Sequence, residues 1–392
     1  MKVTAREQLR HEFVYLHGWL HTKALPLWLA NGFHGAGKGF AENLDLKGEA
    51  TTANRRGRVP PRQIYCFAEA GARGWKGSWT DAVRSGLDYY DRVYRLPSGY
   101  YGSLATCEGQ LIDDSFELYN QAFALLAFCY TAKALPDTRE NMSERASDLL
   151  TALRHDYSHG EGGFNEAVPP RLPLCSNPHM HLFEAALACE DQEGFDCNVW
   201  RRLADEIAHL CMDRFIDAKT GGLREFFDDK WIPYGGQQGR IMEPGHQFEW
   251  AWLLCRWAES RQNDVALAKA KGLFEIGESH GICANRRVAI MALLDDFSVH
   301  DPLARLWPQA EWVKSAMRLA VLSDGYERER YLVSALNAVT ALRLFLDAPC
   351  AGVWRDKLTA DSVFVQEPAP ASSFYHILCA IYEFEDCLNE LP

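Results

Sequence analysis

Gly102-Ser103-Leu104, a glycine followed within two residues by an apolar side chain, is one of six such turns, the others being Gly39-Phe40, Gly163-Phe164, Gly222-Leu223, Gly281-Ile282 and Gly352-Val353. Successive turns lie 63, 61, 59, 59 and 71 residues apart. Recurrence at a nearly fixed period marks a repeat architecture, and about 60 residues leave room for two helices and their loops. Six units therefore predict six helical hairpins.

The stretches between the turns agree. Apolar residues recur at three- and four-residue spacing over Phe116–Ala134, His179–Glu190, Val199–Phe215, His246–Ser260, Asp264–Ser279, Val313–Leu322, Tyr331–Phe345 and Phe374–Leu388, and sustained alternation is rare. An open stack of hairpins needs polar terminal caps, whereas Trp19–Phe33 and Phe374–Leu388 are as apolar and aromatic as the middle of the chain. Closing the stack into a ring removes that need. The expected fold is all-α, an (α/α)6 barrel of six helical hairpins forming one domain over residues 1–392, with an open helical superhelix as its rival. The glycine turns and the long polar loops Ser158–Pro178 and Asp228–Pro244 should gather at one mouth and shape a pocket there.

Composition narrows the function. Hydrophobic residues make up 47% and charged residues 24%, the balance of a globular protein with a large core. A net charge of −12 with no basic stripe argues against nucleic-acid and anionic-membrane partners. Apolar runs such as Ala122–Tyr130 are too short to span a bilayer. Met1–Glu7 lacks the apolar core of a secretory signal, so a cytoplasmic location is expected. The twelve cysteines are scattered without a C-x-x-C and read as reduced core thiols.

Several short stretches carry candidate chemistry. Gly32-Phe33-His34-Gly35-Ala36-Gly37-Lys38 has the outline of a phosphate-binding loop, but Gly39 stands where Ser or Thr is required and helix precedes it. It reads instead as the first mouth turn. Arg62 follows Pro60-Pro61 at a helix start and could donate to sugar oxygens or to a developing enediolate. Tyr119 and Asn120 could add polar contacts, although a tyrosine there also suits a core.

Asn177-Pro178-His179-Met180-His181-Leu182-Phe183-Glu184 joins a cap, a proline and two histidines. Residues two apart on a helix diverge, so the histidines cannot share one metal ion, whereas His181 and Glu184 share a face. Glu243-Pro244-Gly245-His246-Gln247-Phe248-Glu249-Trp250 repeats the design one unit later, with Glu249 placed to orient His246. His376 opens the last helix beside the first unit. Three histidines allow a metal site, but histidines as proton-transfer groups, able to take and return a proton near neutrality, fit better, and no metal or cofactor is expected.

Together with Arg62-Gln63-Ile64-Tyr65, these motifs resemble the N-acylglucosamine 2-epimerase family over nearly the whole chain. The resemblance implies an (α/α)6 barrel and proton transfer at C2 of a ring-opened, unphosphorylated aldose through an enediol. It assigns His246 and His376 as the acid–base pair, with Arg62, Tyr119, Asn177, His181, Arg240 and Glu249 contacting the sugar or orienting those groups. The favoured outcome is mannose-to-fructose isomerisation, followed by 2-epimerisation of N-acylglucosamine, N-acylmannosamine or cellobiose. A homodimer is expected only by analogy. From other classes, a glycoside hydrolase would nominate Asp113, Asp114, Glu166 or Glu243, and a non-catalytic sugar-binding protein would need no acid–base pair.

Overall fold

The computed structural model describes residues 4–35 and 37–392, so Met1–Val3 of the N-terminal reading and Ala36 of the glycine-rich segment lie outside the described residues. The chain opens with α1, Ala5–Trp19, capped by Thr4 and Glu7 and prolonged by π-helical turns at Leu20–Ala24 and Trp28–Gly32. Eleven helices follow: α2 Val59–Ala72, α3 Trp79–Tyr94, α4 Leu118–Ala134, α5 Arg139–Asp156, α6 Ser176–Glu190, α7 Cys197–Leu210, α8 Pro244–Arg261, α9 Asp264–Gly281, α10 Leu306–Val321, α11 Gly325–Leu346 and α12 Ser372–Glu390. Among them, α2, α3 and α5 escaped the apolar-periodicity reading; α3 and α5 present much polar surface and α2 is interrupted by small residues.

Two kinds of helix sort themselves by composition. The even-numbered ones are buried on almost every side, polar positions included, as α10 shows from Leu306 to Ala320. The odd-numbered ones keep a solvated face; α7 buries one stripe through Trp200, Leu203, Ala204 and Ile207. Accordingly α2, α4, α6, α8, α10 and α12 pack side to side in that order, and α12 returns to α2. The odd helices lie outside, each of α3 to α11 against the inner helix before it, while α1 packs on α11 and α12. This is the closed (α/α)6 barrel.

Each outer helix hands the chain to the next inner helix through a turn at the same end of the ring. Phe33 bridges Phe40, Arg95 bridges Tyr101, Ser158 bridges Phe164 and Ile216 bridges Leu223. The glycines of the repeat sit at these returns for two different reasons. Gly163 takes φ +75°, a conformation that strains any side chain. Gly281 does not; there a Cβ would come within 2.4 Å of Pro244, so the requirement is close packing against the start of α8.

A recurring clamp fixes each return to its helix. The Gln121 amide accepts from Tyr101 N at 2.9 Å and donates to Tyr101 O at 2.9 Å. Gln247 does the same to Leu223, at 2.8 and 2.9 Å, and Gln309 to Ala289, at 2.8 and 2.9 Å. In α6 a histidine takes the place: His179 Nε2 accepts from Phe164 N at 3.0 Å, and its Nδ1 pairs with Cys175 O. All four side chains are buried, so each satisfies backbone groups that water cannot reach. In α2 the equivalent Gln63 donates across the ring seam to Ala371 O at 2.8 Å, and Asn43–Leu44 pairs with Ala369–Pro370.

Replacing Gln247 with Leu strands the N–H and C=O of Leu223 in the interior. It is expected to cost about 3 kcal/mol, read as a lower urea midpoint at unchanged slope; a midpoint equal to that of the parent protein would show the clamp to be dispensable.

Candidate active site

All six inner helices begin at the mouth, and none has a side-chain cap: the N-cap residues Arg58, Glu117, Cys175, Glu243, Arg305 and Ala371 make no capping hydrogen bond. Their positive dipole ends therefore point toward a common space, which favours negative charge developing there. That space is a cavity of about 450 Å³, within the usual range for a small-molecule site. Arg62, Tyr119, Asn177, His181, His246, Glu249 and His376 line it, brought together from five helices. Arg240 does not; its guanidinium is bound to Asp295 at 2.7 Å and Asp296 at 2.9 Å, outside the lining. Asp113, Asp114 and Glu166 are also absent from the lining, so of the four carboxylates nominated for a hydrolase only Glu243 reaches the cavity.

Of the three histidines at the pocket, His246 and His376 are held alike and charged differently. His246 Nδ1 is 2.9 Å from Glu225 Oε2 and 3.7 Å from Glu243 Oε2. Burial opposes protonation of this ring, but Glu225 and Glu243 outweigh it and push the pKa up to about 10. His376 Nδ1 is 2.7 Å from Glu311 Oε1, yet burial, with Arg62 and Lys314 nearby, holds its pKa well below the ordinary value. At neutral pH His246 is an imidazolium and His376 a neutral imidazole. With Nδ1 turned to a carboxylate in both rings, Nε2 is the nitrogen left for the cavity. The Trp307 indole stands between them, its ring centroid 5.1 Å from His246 and 5.7 Å from His376.

Glu249 was expected to orient His246, and the structure gives that place to Glu225, which comes from the loop after the fourth turn. Glu225 also accepts from Ser176 Oγ at 3.1 Å and from Glu243 N at 3.2 Å. Both oxygens of Glu249 lack a hydrogen-bond partner, and burial beside Glu311 raises its carboxyl well above the usual range. Burial thus favours the protonated form of this carboxyl at the cavity. Asn177 Oδ1 is unpartnered as well. Arg62 stacks over Phe123, 4.1 Å from its centroid, and donates to Ser372 O at 3.1 Å and to the Tyr119 hydroxyl. His181 Nδ1 lies 3.5 Å from Glu184, and its partner histidine in the motif, His179, faces away as a clamp.

Among the described residues, three donor sets are compact enough to hold a metal ion: His181, Glu184 and Glu249; Glu225, Glu243 and His246; and Glu249, Glu311 and His376, each with ligand atoms within 4.8 Å. Their charge is largely met already. The His246 proton serves the second set, and the Lys314 ammonium, 2.7 Å from Glu311, serves the third and lowers Glu184 in the first. A divalent ion would have to displace these cations.

Glu225, Glu311, Trp307 and Lys314 were not singled out from sequence. A signal existed for Glu311, which sits two residues beyond the Gln309 clamp, as His181 does beyond His179 and Glu249 beyond Gln247. No spacing rule points to Glu225, whose role depends on a loop crossing to the neighbouring unit.

Known proteins share this arrangement of chain. The sequence pattern of the family described as N-acylglucosamine 2-epimerase (GlcNAc 2-epimerase) matches residues 39–380. The mannose-6-phosphate isomerase of Rhizobium meliloti (strain 1021) is 61% identical over 376 residues, 96% of this chain and 97% of its own. The crystal structure of a D-mannose isomerase superimposes with a TM-score of 0.85 at 20% identity, covering 98% of this chain and 100% of the other. Cellobiose 2-epimerase from Spirochaeta thermophila DSM 6192 does so with a TM-score of 0.85 at 20% identity, covering 99% of each chain. These two likenesses speak for the fold. Among the described residues no helix is long and apolar enough to cross a membrane.

The charge state of His246 is directly measurable. Its ring is expected to titrate near pH 10 in an NMR titration of histidine-labelled protein, and Glu225→Gln is expected to lower that midpoint by about 1–3 units. A midpoint near that of free histidine in the parent protein would overturn the electrostatic assignment.

Proposed function

Because the chain belongs to the N-acylglucosamine 2-epimerase family, and is thus an enzyme of the isomerase class, we propose that it converts an unphosphorylated aldose, mannose in the first instance, to its ketose. Residues 1–392 act in this reading as one catalytic domain. The observation that carries it is the unequal charging of two histidines that are otherwise held alike.

The C2 proton of a sugar is acidic only beside a carbonyl, so the open-chain form reacts. Neutral His376 Nε2 takes that proton, and the C2–H electron pair forms the C1–C2 double bond. Charge then builds on O1, where the His246 imidazolium, Arg62 and the converging helix ends stabilise it. After exchange with solvent His376 delivers a proton to C1, the proton that O2 gives up passes to O1, and the ketose forms. A proton held with a pKa of about 10 polarises an oxygen well and leaves for carbon poorly, which favours isomerisation over delivery to C2 from the opposite face. Unpartnered Glu249 and Asn177 Oδ1 suit sugar hydroxyls.

The charges at the mouth favour a neutral substrate. Arg56 pairs with Glu42, Arg58 with Glu117 and Arg305 with Asp356. Among the described residues, Arg62 is the lining guanidinium with no carboxylate partner, and it is deep, only 3% exposed. A phosphate dianion usually takes charge-assisted contacts from free cations, so the name of the Rhizobium meliloti relative is not carried over to the substrate here.

The test is incubation in heavy water with mannose, mannose 6-phosphate, N-acetylmannosamine and cellobiose, followed by NMR. Fructose with deuterium at C1 is the expected product from mannose. His376→Ala should lower turnover by at least about 100-fold with the melting curve unchanged. Glucose as first product would make the enzyme an epimerase; exclusive use of mannose 6-phosphate would refute the neutral-substrate reading.

A further inference from the structure

The inner wall is layered. Two residues past each clamp position stand Phe123, His181, Glu249 and Glu311, and three residues further along the same helices stand Leu126, Glu184, Trp252 and Lys314. His376 and Cys379 continue the two layers in α12. Lys314 thus lies one turn beneath the layer that meets the cavity. It is completely buried, is not among the residues that line the cavity, and faces the aromatic ring of Trp252 with its ammonium 3.6 Å from the centroid. Its Nζ is 2.7 Å from Glu311 Oε2, an ion pair rather than an aligned hydrogen bond, while Glu311 Oε1 holds His376 Nδ1.

Stability does not account for such a residue. Desolvating an ammonium and a carboxylate costs several kcal/mol, and an apolar pair of equal volume would often serve the fold as well. What the pair does accomplish is to keep a carboxylate ionised behind a histidine. We infer that Lys314 is a positioning residue for His376: it holds Glu311 as an anion, and Glu311 then fixes the His376 ring with its Nδ1–H turned inward and its Nε2 lone pair on the cavity.

The surrounding charges make the lysine necessary. Glu311 is faced by Glu184 and His181 from α6, Glu249 from α8, and His376, Tyr375 and Cys379 from α12, with Arg62 and Arg305 further out toward the mouth. Burial and the Glu184 charge both push Glu311 toward protonation, and Lys314 is the nearest cation opposing them. Without the ammonium, Glu311 takes a proton. Its O–H then donates to His376 Nδ1, the ring proton moves to Nε2, and the nitrogen on the cavity can no longer accept one.

The inference rests on His376 being the proton carrier, so its test has a readout that does not need turnover. Nitrogen NMR of the parent protein should show His376 as the neutral Nδ1–H form near neutral pH; the Nε2–H form overturns the inference, whether or not any variant folds. Lys314→Met keeps the volume and removes the charge. It should shift His376 to the Nε2–H form and lower kcat by about 100-fold with KM little changed, and kcat should recover as pH rises and Glu311 ionises. Glu311→Gln should lose a similar factor, and the double variant no more than Glu311→Gln alone. Losses that multiply in the double variant, or a uniform loss across pH with an unchanged tautomer, would show a merely structural lysine. If the tautomer shifts while kcat does not fall, the positioning stands and the assignment of His376 as base fails.

Discussion

One contact recurs in α4, α8 and α10: a buried amide in the first turn of an inner helix takes both backbone groups of the return before it, and in α6 an imidazole takes the N–H of one. A buried peptide group must find a partner, and here the partner is a side chain at a fixed place on a helix. The clamp therefore sets the height and rotation of each inner helix relative to its loop. In α6 and α8 this aims the residue two after the clamp, His181 and Glu249, at the cavity wall, together with His246 one before Gln247. Geometry at the site is inherited from a device that is purely structural.

Charge is then distributed by the neighbours rather than by the histidines themselves. His246 and His376 each offer Nδ1 to a glutamate, yet one is a cation and one is neutral. The difference lies in what else is close. Glu243 adds a second carboxylate beside His246, whereas His376 shares Glu311 with Lys314 and stands near Arg62. Proton affinity is set by the sum over a buried cluster, where a single added ion counts for more than the pairing alone.

The fold was legible because its period is long-range and simple: six returns, each marked by a glycine, between helices whose apolar pattern is strong. Helices α3 and α5 were harder, since an outer helix needs only one buried stripe and α5 is dominated by charge. Besides Arg240 and Glu249, the other six proposed site residues line the cavity; spacing bore on Asn177, His181 and His246, and not on Arg62, Tyr119 or His376. Glu249 reaches it too, but not as a partner of His246, because three-residue proximity on a helix did not compete with Glu225 arriving from a loop. Arg240 illustrates the same limit: nothing in its neighbours along the chain foretold Asp295 and Asp296, 55 and 56 residues away. Contacts that cross between units have no local signature.

The seam of the ring joins Gln63 to Ala371 and Arg62 to Ser372, and a strand pair links Asn43–Leu44 to Ala369–Pro370. Arg62 arrives with the first inner helix and His376 with the last. As the chain leaves the ribosome, five hairpins can dock on their neighbours as they appear, but the reacting pocket has a missing wall until α12 is released. The pocket is thus completed only by the last helix of the ring, so its closure depends on the first and last inner helices meeting at the seam.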